Sequence, residues 1–168
     1  LVVLSGCISG PVSKALEAGD FDLAVKRASQ FKSVFGDRFY IEIQCGNPVE
    51  LNRGLLSVAD LLKIKPVITG DCHYADPKDR WLEEAFLILS TNPKMDRSFD
   101  MAKSQKMDML DRFNYLYPER RMTFEKFDLY LASRTHRAAK MAAMGIDRQD
   151  IFDNTNERDA CRFLLNCC

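Results

Sequence analysis

The stretch Lys65-Pro66-Val67-Ile68-Thr69-Gly70-Asp71-Cys72-His73-Tyr74 decides the fold of this chain. Val67, Ile68 and Thr69 form an apolar, β-branched run that reads as a buried strand. The run passes straight into Asp-x-His. Side chains alternate along a strand, so Asp71 and His73 are expected on one side and Cys72 on the other, packed as a small hydrophobe. A carboxylate beside an imidazole at the C-terminal end of a buried strand can grip a metal ion. Barrel enzymes keep their chemistry at such strand ends.

Upstream of this stretch, strand and helix alternate. Residues 1–5 read as a strand that ends in the loop Gly6-Cys7-Ile8-Ser9-Gly10. Pro11 suits the first position of a short helix, which Gly19 ends. Asp20 caps a longer helix with Phe21, Ala24, Val25, Ala28, Phe31 and Phe35 on one face, and Gly36 stops it. Residues 38–44 read as a strand with Tyr40, Glu42 and Gln44 on one side and Phe39, Ile41 and Ile43 on the other. Asn47 is expected to cap, and Pro48 to start, a helix that turns Leu51, Leu55, Val58, Ala59 and Leu62 inward. The order β-α-β-α-β, at roughly 20–30 residues per repeat, is that of parallel strands joined by crossover helices.

Downstream of Tyr74 the pattern is helical. Asp76-Pro77 opens a helix that ends near Asn92-Pro93, and residues 98–117 turn helical toward their end. Thr123 is expected to cap a short helix bearing Phe124, Phe127 and Leu131. Ser133 caps another, ended by Gly145, and Asp153 or Asn154 caps the last, with Ala160, Phe163 and Leu164. The expected division is an α/β portion over 1–75 and an all-helical portion over 76–168.

A hydrophobic share of 46% over 168 residues is enough for a buried core in one medium domain, or in one domain and the start of another. Lys plus Arg and Asp plus Glu balance at 24 each, so total charge makes no case for nucleic-acid binding. Local basic clusters, such as Arg120-Arg121 and the helix from Arg134 to Lys140, read as solvated helix surface. His136 belongs to that surface, and the methionines read as core filler. No segment approaches the roughly 20 apolar residues of a membrane span. The spacing of the six cysteines fits no zinc-ribbon or redox pattern, so reduced thiols and a cytoplasmic location are expected. The chain opens without Met inside a predicted strand and closes on Leu164-Leu165-Asn166-Cys167-Cys168, so it is expected to be a piece of a longer protein.

Four motifs occur in a telling order: Leu4-Ser5-Gly6-Cys7-Ile8-Ser9-Gly10, Phe39-Tyr40-Ile41-Glu42-Ile43-Gln44, Asn52-Arg53-Gly54-Leu55 and Asp71-Cys72-His73-Tyr74. In order and spacing they resemble the polymerase and histidinol phosphatase (PHP) domain of the bacterial replicative DNA polymerase, the alpha subunit of DNA polymerase III. Asn154-Thr155-Asn156-Glu157 resembles the Asn-Thr-x-Glu that lies between that domain and the polymerase palm. There are departures. Cys45-Gly46-Asn47-Pro48 stands where the family often has a basic or His-bearing turn, and Arg158-Asp159 follows where the family usually runs Ile-Ala. These point to a phage-encoded or otherwise diverged member.

The resemblance implies an α/β fold: the C-terminal part of a distorted (β/α)7 barrel, followed by a helical connector toward the palm. It makes Cys7, Asp71 and His73 metal ligands. Glu42 and Gln44, on the side of their strand expected to face the barrel interior, are candidates to orient those ligands, and a buried polar layer explains them equally well. Sulfur, oxygen and nitrogen donors together suit zinc and tolerate manganese. It implies a parent that is a DNA-directed DNA polymerase, with magnesium at a polymerase site outside this chain. Its partners would be primer-template DNA, deoxynucleoside triphosphates and replisome subunits such as a proofreading exonuclease and a sliding clamp. Three alternatives stand beside this. Asp71, His73 and Cys7 can be a cap, a hydrogen-bonded core histidine and a buried thiol. The domain can be an inactive scaffold. The chain can be a free-standing metal-dependent phosphoesterase.

Overall fold

The computed structural model describes residues 1–91, 106–117, 123–124 and 127–155. The chain forms two compact units, Leu1–Asp71 with Ser133–Cys168, and Cys72–Ala132. The division expected from sequence places all of 76–168 in a helical connector. In space, the helices after Ser133 belong to the same unit as the strands.

The first unit holds three strands, β1 (Val3–Leu4), β2 (Phe39–Gln44) and β3 (Pro66–Thr69). They form a parallel sheet in the order β1-β2-β3. Leu4 pairs with Tyr40, and residues 41–44 pair with 66–69, so all three strands end at the same rim. The crossovers are α1 (Pro11–Glu17) with α2 (Phe21–Phe35), and α3 (Val49–Leu62). Asp20 caps α2 by accepting the Leu23 N–H at 2.9 Å, and Gly36 ends it at φ 57°. Ala24 and Ala28 are fully buried on α2, while Phe21, expected on the same face, is 39% exposed at the first turn. Ile41, Ile43, Leu55 and Val58 fill the core between sheet and helices. All six residues of β2 are buried, as a central parallel strand covered on both faces requires.

The cap of α3 differs from the expectation. Pro48 occupies the cap position without a side-chain hydrogen bond. Asn47 turns away and donates from Nδ2 to Asn52 Oδ1 at 3.0 Å. A buried polar partner outcompetes the helix end for its amide. The unit is completed by two C-terminal helices, numbered here α6 (Arg134–Ala143) and α7 (Asp150–Thr155). Ser133 caps α6 by accepting the His136 N–H, and Gly145 follows its end at φ 66°. Asp153 and Asn154, the expected caps of the last helix, lie inside α7; Ala160, Phe163 and Leu164, which that helix would carry, lie outside the described residues.

The second unit contains α4 (Arg80–Thr91), preceded by a 3₁₀ turn at Pro77–Asp79, and α5 (Met109–Leu116). Asp76 accepts the Lys78 N–H at 3.0 Å to open the turn, and Asp108 accepts the Asp111 N–H at 2.8 Å to open α5. Asn92-Pro93, the expected end of α4, lies outside the described residues. The short helix expected after Thr123 is absent among the described residues. Tyr74 forms an isolated parallel bridge with Tyr130, and the His73 N–H donates to the Leu129 carbonyl at 2.8 Å. Extended pairing there uses the backbone groups that a helix would have claimed. Glu84, fully buried on α4, accepts the Thr123 hydroxyl and the Phe124 N–H, each at 2.9 Å.

Candidate functional site

At the strand-end rim of the first unit, one face of the sheet carries a polar layer. Ser5 follows β1 and accepts the Glu42 N–H on its hydroxyl at 2.9 Å. Glu42 and Gln44 share that face, as the alternation along β2 predicts. Gln44 donates from Nε2 to Glu42 Oε1 at 2.9 Å, and the Thr69 hydroxyl donates to the same oxygen. Glu42 is 8% and Gln44 4% exposed. The two donors offset the cost of burying the carboxylate.

Cys7 sits, half-buried, in the tight loop after β1. Gly6 adopts φ 83° there, and the Gly10 N–H closes back on the Cys7 carbonyl at 2.8 Å. A Cβ at Gly10 would lie 2.5 Å from the Ser5 carbonyl oxygen, so only glycine permits this turn. The loop therefore fixes the backbone that carries the thiol.

The alternation expected through Asp71-Cys72-His73 is not realised. β3 stops at Thr69, and Asp71 takes a left-handed backbone at φ 47°. Once the chain leaves extended geometry, residues two apart no longer share a side. Asp71 is exposed and ends the first unit, while His73 lies in the second. Cys72 is exposed, with Sγ 3.5 Å from the Tyr130 carbonyl, and so is not the buried hydrophobe expected.

Within the second unit, His73 Nδ1 lies 2.7 Å from Glu83 Oε1. Its ring meets Phe124 edge-on, with centroids 5.6 Å apart. A carboxylate on one ring nitrogen fixes tautomer and orientation, the usual second partner of a metal-ligating imidazole. Glu83 carries no signal in the sequence: it lies ten residues from His73, on the first turn of α4, in no motif. The donor chemistry of Cys7, Asp71 and His73 taken singly fits a borderline metal. Among the described residues, however, no group of three or more His, Cys, Asp or Glu side chains is placed to hold an ion.

The motif Asn52-Arg53-Gly54-Leu55 has a full packing explanation. Asn52, fully buried, donates to the Gln44 carbonyl at 2.9 Å and accepts from Asn47. Arg53 donates to the Met144 carbonyl at 3.2 Å, at the end of α6. Gly54 lets Leu16 of α1 approach: a Cβ there would lie 3.3 Å from both Leu16 methyls. Leu55 is in the core.

A parallel α/β unit with a polar rim, followed by a helical segment, defines the class: an α/β module with candidate donor residues beyond its strand ends. No family model matches the chain. Over about half of its residues it is similar to alpha subunits of DNA polymerase III. It is 30% identical over 92 residues to that of Aquifex aeolicus (53% of this chain, 8% of the relative). It is 40% identical over 78 residues to that of Saccharopolyspora erythraea (44% and 6%) and 33% over 99 residues to that of Thermus aquaticus (57% and 8%). The chain spans less than a tenth of these relatives' length, and the similarity is consistent with a fragment of that subunit. Among the described residues no helix is long and apolar enough to cross a membrane.

Proposed function

We propose that this chain is part of a DNA-directed DNA polymerase of the alpha-subunit kind, which extends a primer by nucleotidyl transfer from deoxynucleoside triphosphates. The observation that carries this is the 30–40% identity to three alpha subunits, in a chain whose motifs follow that family's order. Three sequential parallel strands with crossover helices support the reading that this is the C-terminal part of a (β/α)7 barrel of the PHP kind. The polymerase carboxylates and their magnesium belong to parts of the parent outside this chain. Primer-template DNA and replisome subunits, such as a proofreading exonuclease or a sliding clamp, are partners of the parent.

Cys7, Asp71 and His73 are proposed as three donors to a zinc or manganese centre completed by residues outside the chain. Such ions, when bound, lower the pKa of a water and polarise a phosphoryl oxygen, the requirements of 3′-end excision. This chain's own part is positioning. The glycine-bound loop holds Cys7, Glu83 orients the His73 ring, and Glu42 with Gln44 keeps the rim polar.

A second reading is an inactive scaffold, which binds metal only to hold its fold or docks a proofreading subunit; the buried polar layer favours its structural form. Glu42, Gln44 and Thr69 satisfy one another, as a structural layer does.

The test uses the full-length parent. Asp71→Ala and His73→Ala should each lower its bound metal, read by elemental analysis, or its melting temperature, while primer extension persists. Unchanged metal content and melting temperature in both variants would reject the ligand assignment. The DNA flanking this reading frame tests the family: an upstream His-x-His and downstream paired aspartates are expected, and their absence would overturn the polymerase reading.

A further inference from the structure

Among the described strands β3 lies at one end of the sheet: β2 pairs with one side of it, and its other side meets α7. Along a strand, the N–H and C=O of one residue point to the same side and those of the next to the opposite side. Residues 66 and 68 turn outward. Asn154 donates from Nδ2 to the Pro66 carbonyl at 2.9 Å. The Ile68 N–H donates to Thr155 Oγ1 at 2.9 Å. A hydroxyl carries one hydrogen. The 2.6 Å contact from Thr155 Oγ1 to the Ile151 carbonyl takes it, in preference to the Ile68 carbonyl at 3.4 Å. A lone pair is thereby left facing the Ile68 N–H. Pro66 has no N–H, so Ile68 provides the outward donor of this edge, and Ile68 is 1% exposed.

We propose that Asn154 and Thr155 form a latch. Two adjacent side chains at the end of α7 stand in for a neighbouring strand, close the outer edge of β3 and hold the strand that leads to Asp71. They are positioning residues. Their effect on the rim passes through β3. The inference does not rest on the polymerase reading, and a barrel closed by a strand against this side of β3 would displace the latch.

Amide hydrogen exchange of the isotope-labelled 168-residue chain, read by NMR, tests it. The Val67 N–H points the other way, toward β2, and serves as an internal reference in the same strand. In the unaltered chain Ile68 should be protected to within tenfold of Val67. In Thr155→Val, which keeps the shape and removes the acceptor, Ile68 should exchange at least tenfold faster relative to Val67. Thr155→Ser, which keeps the hydroxyl, should restore protection. Three results would each overturn the latch: an unprotected Ile68 in the unaltered chain, equal acceleration of both amides in the valine variant, or no rescue by serine. If the valine variant does not fold, the other two chains decide. Protection of Ile68 in both supports the latch, and loss in either rejects it.

Discussion

Asn52 is a sensitive point in the first unit, and Asn52→Ala should show it. The side chain is fully buried and joins three segments: the end of β2 through the Gln44 carbonyl, the turn before α3 through Asn47, and the end of α6 through Met144 Sδ at 3.7 Å. Removing it has unequal consequences. The Gln44 carbonyl keeps one donor, the Asn47 N–H at 3.2 Å, so its loss is that of a single ordinary hydrogen bond, about 1 kcal/mol. The Asn47 side-chain amide is 6% exposed and would lose its acceptor, which costs about 1–2 kcal/mol for an orphaned buried donor. Together these give roughly 2–3 kcal/mol, a large share of the roughly 5–15 kcal/mol that holds a domain folded. At about 2–4 °C per kcal/mol for a chain of this size, the melting temperature should fall by about 4–12 °C. Asn47→Ala alone should cost less. The double variant should cost less than the sum, by about 1 kcal/mol, because the two amides are a pair. Urea unfolding of the four chains measures all of this. A cost below about 0.5 kcal/mol for Asn52→Ala, or strict additivity in the cycle, would refute the assigned network.

Two further predictions follow from charge. Glu84→Ala should free the Thr123-Phe124 segment by removing the acceptor of both its hydroxyl and its N–H, at a cost of about 2 kcal/mol or more. Limited proteolysis should then cut beside Phe124 faster than in the unaltered chain, and equal cutting rates would contradict the clamp. Arg148 donates to both Asp60 and Asp150, and its hydrogen bonds hold the Asp150 carboxyl below the usual carboxylate range. A lowered folded pKa stabilises above the unfolded value of about 3.9, and that stabilisation is lost as pH falls through the folded value. Asp150 is 45% exposed in its side chain, so the effect should stay at or below about 1 kcal/mol. Asp150→Asn should be less stable than the unaltered chain near pH 7, and the gap should narrow on acidification below about pH 4. A gap that widens would reverse the sign.

The parts of the fold that sequence makes legible are those set by local rules. Asp20, Ser133, Gly36 and Gly145 punctuate helices because caps and left-handed turns select residue types over a few positions. The two-residue period of β2 gives the polar face of Glu42 and Gln44 directly. The misreadings share a different cause. Asn47 and Thr123 both have cap-like chemistry, but each side chain takes another partner: Asn47 a buried amide one turn into α3, Asn52, and Thr123 a carboxylate 39 residues away, Glu84. The alternation extended past Thr69 assumes that a strand continues, and the left-handed Asp71 ends it. The placement of α6 and α7 with the sheet rests on the contacts of Asn52, Arg53 and Ile68 with residues about 90 positions away, for which a single sequence holds no periodic signal.

This bears on what the motifs mean. In Asn52-Arg53-Gly54-Leu55 each residue is explained by packing or by a backbone partner, and Asn154-Thr155 is explained by the edge of β3. Residues of this kind report the fold, and any protein with the same sheet and helices would need them whether or not it hydrolyses anything. The functional weight therefore falls on residues that the fold does not demand. Gly10 is required by the turn, which fixes the backbone at Cys7 and not the type of side chain it carries. Asp71 carries the strain of a left-handed backbone at an exposed position, where glycine would relieve it. Asp71 stands where glycine would relieve the backbone, and that supports testing it, with the Cys7 and His73 of the same proposed centre, in the parent before the better-buried Glu42 and Gln44.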